Sequence, residues 1–503
     1  MNSSVPESKN EKNAFRSNFG ATILFSGVQF FHILISIVRS KFVALFIGPL
    51  GMGISSLLHS ATDLISACTN LGLKTSGVKT VASAGESNDF DKIAKTIAVL
   101  RRLILCTGLL GTIICIALSP FLSQNSFGNG DYTWSFIFVS VIILFTQLNN
   151  GELVLLQGLR KKEMLAKANV IGQVLGLVLT LPLYYFYGVK AIVWVLVLSS
   201  IITYCISSFY THKLHIQRIH VTWKETFSVG WEMIKLGIFL SLQFLMAQVV
   251  LYVVRNYISR VGGVDQVGLY SAGTSIINTY LGLIFTAIAT DYFPRLAATK
   301  NMTDMNDAVR RQAELSILLF APIIIAFIVF IRPVIIMLYS ERFLPIEHML
   351  YWGMAATLLK AMGWSLSYTL LAKAKPLYFF LNELGAVVYT FPLTILGYKF
   401  FGLTGLGIAL VIGYLIYLIQ ELIVTKKLFN TTLPASTWKL FVLLNIPLAL
   451  VLGAKFIPSA AISYIVGSIF LIITSIFVYR ELNARMDLSD IIKKKMSKFS
   501  KRN

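Results

Sequence analysis

At 503 residues the chain is 56% hydrophobic and only 13% charged, a balance that excludes an ordinary soluble domain. A formal net charge of +21 would suggest nucleic acid in a soluble protein, so the cations must be placed on a topology before they carry meaning. The four cysteines, Cys68, Cys106, Cys115 and Cys205, lie in apolar stretches without C-x-x-C spacing or a His cluster, which argues against a zinc or redox motif and for plain packing.

The polar first 18 residues lack the short apolar core and small-residue cleavage site of a removable leader. Beyond them, runs long enough to cross about 30 Å of hydrocarbon recur along the chain, and about fourteen helical spans are expected. The first six fall near 19–38, 42–73, 103–122, 132–156, 168–187 and 189–210. The next six fall near 234–258, 267–289, 315–339, 349–372, 376–398 and 402–425, and a final pair near 440–454 and 460–479. The thirteenth is short and interrupted by Asn445 and Pro447, which leaves twelve or thirteen crossings as alternatives.

Cationic loops resist translocation, so Lys and Arg bias sets the orientation. With the N-terminus in the cytoplasm, about 34 of the 44 Lys and Arg residues fall on the cytoplasmic side, whereas the loop Gln124–Asp131 carries none. An even number of spans places the C-terminus inside as well. Most of the positive charge is thus topology signal, and no nucleic-acid partner is implied. The basic tail Lys493–Arg502 is also a candidate contact for anionic lipid headgroups.

The sequence repeats at an offset of roughly 213 residues. LQGLRKKEMLAKANVIG from Leu156 parallels LAKAKPLYFFLNELG from Leu371, pairing Asn169 with Asn382 and Gly172 with Gly385. YYFYGVKAIVWVLVLS from Tyr184 parallels YKFFGLTGLGIALVIG from Tyr398, and GPLGMGISS from Gly48 parallels GGVDQVGLYS from Gly262. Three segments follow: an N-terminal six-helix lobe (1–225), a second lobe repeating it (226–430), and two extra helices with a basic tail (431–503). Six helices per lobe give both the same orientation, hence a pseudo-twofold axis along the membrane normal.

Polar residues at helical spacing stripe several spans. The first carries Thr22, Ser26, Gln29, His32, Ser36 and Arg39 on one face, and the second Ser55, His59, Thr62, Asp63, Ser66 and Asn70. The seventh shows Ser241, Gln248, Tyr252, Arg255 and Ser259, the eighth Ser271, Thr274 and Asn278, and the tenth Lys360, Trp364, Ser367 and Tyr368. Polar residues in membrane helices often serve only as glue between helices, and Arg39 near a helix end could snorkel to the interface. Charged groups deep in a span, such as Asp63 and Lys360, instead mark a polar cavity. Asp63, Glu152 and Glu383 are candidates for holding a coupling cation, Na+ or H+. The Gly48–Gly53 stretch lacks the Lys and Ser/Thr of a phosphate loop, and no hydrolase or metalloprotease motif is present, so neither catalysis nor ATP hydrolysis is expected within the chain.

The striped first helix, the turn FIGPLGMGISSLL, the basic connection LQGLRKKEMLAKAN and the 6+6 repeat together resemble the polysaccharide transporters, especially the O-antigen flippases, of the multidrug, oligosaccharidyl-lipid and polysaccharide exporter superfamily. The resemblance runs over essentially the whole chain but through loose hydrophobic patterns. It implies an all-α integral membrane protein of about fourteen helices, two six-helix bundles in a V around a cavity, working by alternating access in the bacterial inner membrane without a cofactor. It further implies a cargo of undecaprenyl-pyrophosphate-linked oligosaccharide, moved from the cytoplasmic to the periplasmic leaflet. Arg39, His32, His59, Arg255 and Lys360 would meet its anionic groups, with Gln29, Gln248, Tyr252 and Asn278 lining the path. Membrane lipids and other polysaccharide-assembly proteins are the further partners expected. Within the superfamily the alternatives are a lipid II flippase and a multidrug cation antiporter; a membrane glycan polymerase or ligase is remote, because the predicted external loops are too short for its chemistry.

Overall fold

The structure, a computed structural model, describes residues 9–86, 89–216, 219–373 and 375–486, with side chains described from residue 34 onward apart from those of 239, 240, 376 and 486. Among these residues there is no strand. The helices are α1 (Lys9–Thr69), α2 (Leu73–Glu86), α3 (Phe90–Phe127), α4 (Thr133–Val139), α5 (Val141–Gly158), α6 (Lys162–Tyr187), α7 (Ile192–His212) and α8 (Trp223–Gly262). They continue as α9 (Val264–Thr274), α10 (Leu281–Ala297), α11 (Met302–Val329), α12 (Ile331–Leu338), α13 (Glu347–Ala372), α14 (Pro376–Phe429), α15 (Ala435–Ala454) and α16 (Ala460–Met486).

Nine continuous helical stretches among the described residues are long and apolar enough to cross a membrane, ten with the bent α8. Several are double. α1 turns back at Gly48 (φ 62°, ψ −167°) and α14 at Gly402 (φ 57°, ψ −138°), while α6 and α7 meet at Gly188 (φ 53°, ψ −130°). These φ values lie in the region that a Cβ disfavours, so glycine is what lets two spans join without a loop. Divided there, and with the buried and more polar α13 included, the described helices agree with about fourteen spans. α15 is a full 20 residues despite Pro447, which gives the thirteenth span the length to cross.

The first turn differs from the expected one. The sequence suggested a break between residues 38 and 42, beside Arg39 and Lys41, whereas the helix runs on to Gly48. The glycine provides a backbone geometry that two charged residues do not. Arg39 and Arg255 therefore sit inside their helices, about 12–14 Å along the axis from the turns that follow them.

Two compact units emerge, residues 1–271 with 338–340, and residues 272–337 with 341–503. In the first, α8 is tied to α3. Thr222 and Glu225 form a reciprocal capping box, Lys95 Nζ donates to Glu225 at 2.5 Å, and Arg102 donates to Val221 O at 2.6 Å while lying 4.8 Å over Trp223. The second half of α1 crosses α9 almost backbone to backbone. A Cβ on Gly53 would lie 2.0 Å from Val264 O, and one on Gly268 would lie 1.9 Å from Pro49 O. One turn further on, the hydroxyls of Ser56 and Ser271 are 2.5 Å apart.

In the second unit, α15 and α16 pack on α11. Glu314 accepts from Thr437 Oγ1 at 2.7 Å and pairs with Arg485, and Lys455 Nζ donates to Val329 O at 3.0 Å. Ile465, Ile469, Ile472 and Ile476 form an exposed aliphatic stripe down α16, the face suited to lipid. Between α9 and α10, Ser275–Tyr280 is a π-helical turn.

The crossing of α1 and α9 makes Gly268→Val the most informative fold variant. The added atoms meet a backbone carbonyl that cannot rotate away, and overpacking of this kind costs about 1–3 kcal/mol or more. A drop in the thermal unfolding midpoint and in membrane yield should follow, whereas Gly453→Ala, with open space at its Cβ, should leave both unchanged.

Candidate functional site

In the first unit, α1, α6, α8 and α9 bring together Arg39, His59, Asp63, Tyr184, Arg255 and Tyr270. The charges of Asp63, Arg39 and Arg255 all act on His59, Arg255 also interacts with Asp63 and Tyr270, and Arg39 with Tyr184. Arg39 and Asp63 are exposed, His59 and Arg255 half-buried. Buried Nε of Arg255 has no hydrogen-bond partner. Two guanidinium groups face one carboxylate, so the cluster keeps a positive excess suited to an anion. Gln29 and His32 lie outside the residues whose side chains are described.

Other predicted positions go elsewhere. Gln248 is half-buried on α8, and Tyr252 is buried, its Oη accepting from Asn125 Nδ2 at 3.1 Å. Glu152 is 7% exposed and takes a 2.9 Å bond from Arg101 Nη2, a satisfied ion pair that bridges α5 and α3. Asn278 sits exposed in the π turn.

The second unit contains a cavity of about 550 Å³ formed by α13 and the two arms of α14. Lys360, Trp364, Tyr368, Glu383, Tyr414 and Tyr417 line it, with Ser367 and Thr390 supplying hydroxyls. Lys360 Nζ lies 5.3 Å from the ring centres of both Phe285 and Tyr414, and Trp364 packs 4.4 Å from Tyr368. An ammonium held against aromatic faces keeps its hydrogen-bond donors for a ligand. Glu383 accepts from Tyr417 Oη at 3.1 Å and from Ser367. Behind it lies fully buried Glu421, which takes a bond from Asn382 Nδ2 and interacts with Glu383, Tyr417 and Ser367, while Gln420 Nε2 donates to Asn382 Oδ1 at 2.6 Å.

The sequence reading found Lys360, Trp364, Ser367, Tyr368 and Glu383. It missed Glu421, Tyr414 and Tyr417 in the returning arm, and Tyr184 and Tyr270 in the first unit. The Gln420-Glu421 dipeptide inside the run IYLIQELIV was a visible signal, because a carboxylate there must be packed against donors.

The profile of a family described as polysaccharide biosynthesis proteins matches residues 42–348. The chain belongs to that family. Among curated relatives of this polysaccharide biosynthesis protein, a Shigella flexneri protein provisionally named an O-antigen transporter is 23% identical over 318 residues, 62% of this chain and 74% of that one. The lipid III flippase of Escherichia coli (strain K12) is 20% identical over 349 residues, covering 68% and 82%. Among solved structures, an inward-facing multidrug resistance transporter of the MATE family in the MOP superfamily aligns with a TM-score of 0.65, 17% identity and coverage of 82% and 98%. The lipid II flippase MurJ in an inward closed conformation gives 0.64, 15%, 92% and 99%. These structural likenesses establish the fold. The family and the apolar helices make the chain a multi-pass membrane protein of polysaccharide biosynthesis, and the relatives it resembles are named as a transporter and a flippase.

The Asn382–Glu421 contact provides a test of the buried network. In Asn382→Leu the carboxylate loses a donor in a place that water does not reach, at a cost of about 1–3 kcal/mol. The unfolding midpoint of the purified protein should fall, and Glu421→Gln in the Asn382→Leu background should recover part of the loss.

Proposed function

We propose that the protein is a flippase that carries an undecaprenyl-pyrophosphate-linked oligosaccharide from the cytoplasmic to the periplasmic leaflet of the bacterial inner membrane, with both termini in the cytoplasm. The observation that supports this most is the positive excess of the Arg39–His59–Asp63–Arg255 cluster, built on polar faces of otherwise apolar helices. A cationic drug would be repelled there, whereas a pyrophosphate or an acidic sugar gains charge-assisted hydrogen bonds. Lys360 among tyrosines and a tryptophan adds a second setting, in which sugar rings stack on aromatic faces while the ammonium donates to hydroxyl or phosphate oxygens. The prenyl tail stays in the bilayer, since nothing in its chemistry requires it to leave. Glu383 and Glu421 are the groups best placed to couple transport to a cation gradient. Glu152, committed to Arg101, is less suited.

Assays of surface polysaccharide in a deletion strain, with lipid-linked intermediates measured on each face of the inner membrane, test the reading. Loss of surface glycan with intermediates held on the cytoplasmic face is expected. Normal glycan with heightened sensitivity to cationic dyes would overturn it in favour of a drug antiporter.

In the complemented strain, Arg255→Gln and Lys360→Met should each lower surface glycan at least about tenfold, the effect of losing one or two charge-assisted bonds, at unchanged membrane levels of protein. Normal glycan from both variants would remove these residues from the cargo path. A cysteine placed at Gly128 should react with an impermeant maleimide in intact spheroplasts, and one at Lys161 only after permeabilisation, if the N-terminus is cytoplasmic.

A further inference from the structure

Both ends of the long helix α14 lie together in the second unit. Lys375, which precedes its first turn, places Nζ 5.4 Å from the ring centre of Tyr378 and 5.2 Å from that of Phe429, the last residue of the helix. Lys426 and Lys427 stand exposed in the final turn, and exposed Lys439 lies one turn into α15. No Asp or Glu occurs at 371–382 or 422–440, so this end of the unit carries a single sign of charge.

Internal interactions leave these ammonium groups unused. Among the described residues no carboxylate pairs with Lys375, Lys426 or Lys427, whereas Lys95, Arg160 and Lys167 pair with Glu225, Glu86 and Glu163. The backbone amides of Asn430 and Thr431 already donate to Lys426 O at 3.0 Å and to Thr425 O at 3.3 Å, so no lysine is needed to close the helix. Lys373, two residues before Lys375, is committed otherwise, donating to Thr299 O at 2.6 Å and to Thr299 Oγ1 at 2.9 Å. The bias of cations toward the cytoplasmic side accounts for lysines in such a turn, but not for three that gather without an acid. Leading away from them, Leu377 and Leu381 on the outgoing arm of α14 and Ile419 and Ile423 on the returning arm are about half exposed.

We propose that the joined ends of α14 bind an anionic phospholipid, its phosphate held by Lys375, Lys426 and Lys427 and its acyl chains laid along the exposed faces of the two arms. The rings beneath Lys375 orient its ammonium without consuming a hydrogen-bond donor, and a phosphodiester offers oxygens that accept from several ammonium groups at once. Charge selects the headgroup. A zwitterionic lipid brings an ammonium of its own into an acid-free patch, whereas a lipid with net negative charge brings none. The aliphatic faces select a lipid over a free anion, since only a ligand with chains covers both the lysines and the stripes that begin beside them. Under the orientation proposed above the lipid belongs to the cytoplasmic leaflet, and the binding itself does not depend on what the protein transports.

The test titrates the full-length protein, purified in neutral detergent micelles, with dioleoylphosphatidylglycerol or dioleoylphosphatidylcholine and counts bound lipid by native mass spectrometry. Wild type should bind the phosphatidylglycerol in preference. Each of Lys375→Gln, Lys426→Gln and Lys427→Gln should weaken that binding about fivefold, and the three together roughly a hundredfold. A control variant, Lys74→Gln/Lys79→Gln/Lys224→Gln, removes the same charge from exposed positions on α2 and α8 and should bind as wild type does. Equal affinity for the two lipids, no loss in the first triple variant, or the same loss in both triple variants, which would leave net charge alone responsible, overturns the proposal. Farnesyl pyrophosphate and inorganic phosphate, each added at the concentration of the lipid, should leave the phosphatidylglycerol in place. Displacement by the first would assign the lysines to a prenyl pyrophosphate and displacement by the second to a free anion, and either result ends the phospholipid assignment.

Discussion

The crossing of α1 and α9 brings two backbones into direct contact. Pro49 and Gly53 of α1 meet Val264 and Gly268 of α9 at distances that leave no room for a Cβ, and Ser56 meets Ser271 at the same crossing. Membrane helices gain nothing from hiding apolar side chains from one another, since lipid is equally apolar, so close approach through small residues and an occasional hydroxyl bond takes over. The partners are also repeat-related. Gly53 and Gly268 occupy equivalent places in the duplicated turn sequence, as do Ser56 and Ser271. A surface that contacts its own duplicate in this reciprocal way is the single-chain counterpart of a twofold dimer contact. Three members of the charged cluster, His59 and Asp63 on α1 and Tyr270 on α9, are carried by the two segments that cross, so glycines that carry no charge at all bring them together.

Several of the ionic groups in the described helices are fasteners. Arg101 holds Glu152, Arg102 and Lys95 hold the entry to α8, Arg332 donates from Nε to both carboxylate oxygens of Glu347, and Glu314 gathers Thr437 and Arg485. Each lies near the end of a span, where partial hydration lowers the cost of a charge. Against that background the groups further inside, Arg255, Lys360, Glu383 and Glu421, are distinguished by partners that are aromatic or amide rather than fully opposing ions. That difference in company, more than charge itself, separates a site from a strut.

The fold was legible because its determinants are local: apolar run length sets each span, and glycine-aromatic turns recur at one offset. The turn at Gly48 was misplaced because cations usually signal a helix end, and only the φ of 62° reveals that the chain continues past Arg39. The sites were half legible. A stripe on one helix, such as Lys360 to Tyr368, shows in the sequence, but Tyr414 and Tyr417 lie more than 40 residues later on a returning arm, and only packing brings them back.

The π turn at Ser275–Tyr280 alters what helical spacing means in its neighbourhood. Such a turn holds one residue more than an α turn, so side chains on either side of it fall out of phase with a regular wheel by about 100°. Ser271, Thr274 and Asn278, three and four residues apart in sequence, run from buried through half-buried to exposed, and the last of them lies within the π turn. The extra residue behaves like a dislocation in a lattice. Were it to glide out by one hydrogen-bond step, α10 would advance about 1.5 Å and rotate by the same 100° without any change in chain length or in the number of helical residues.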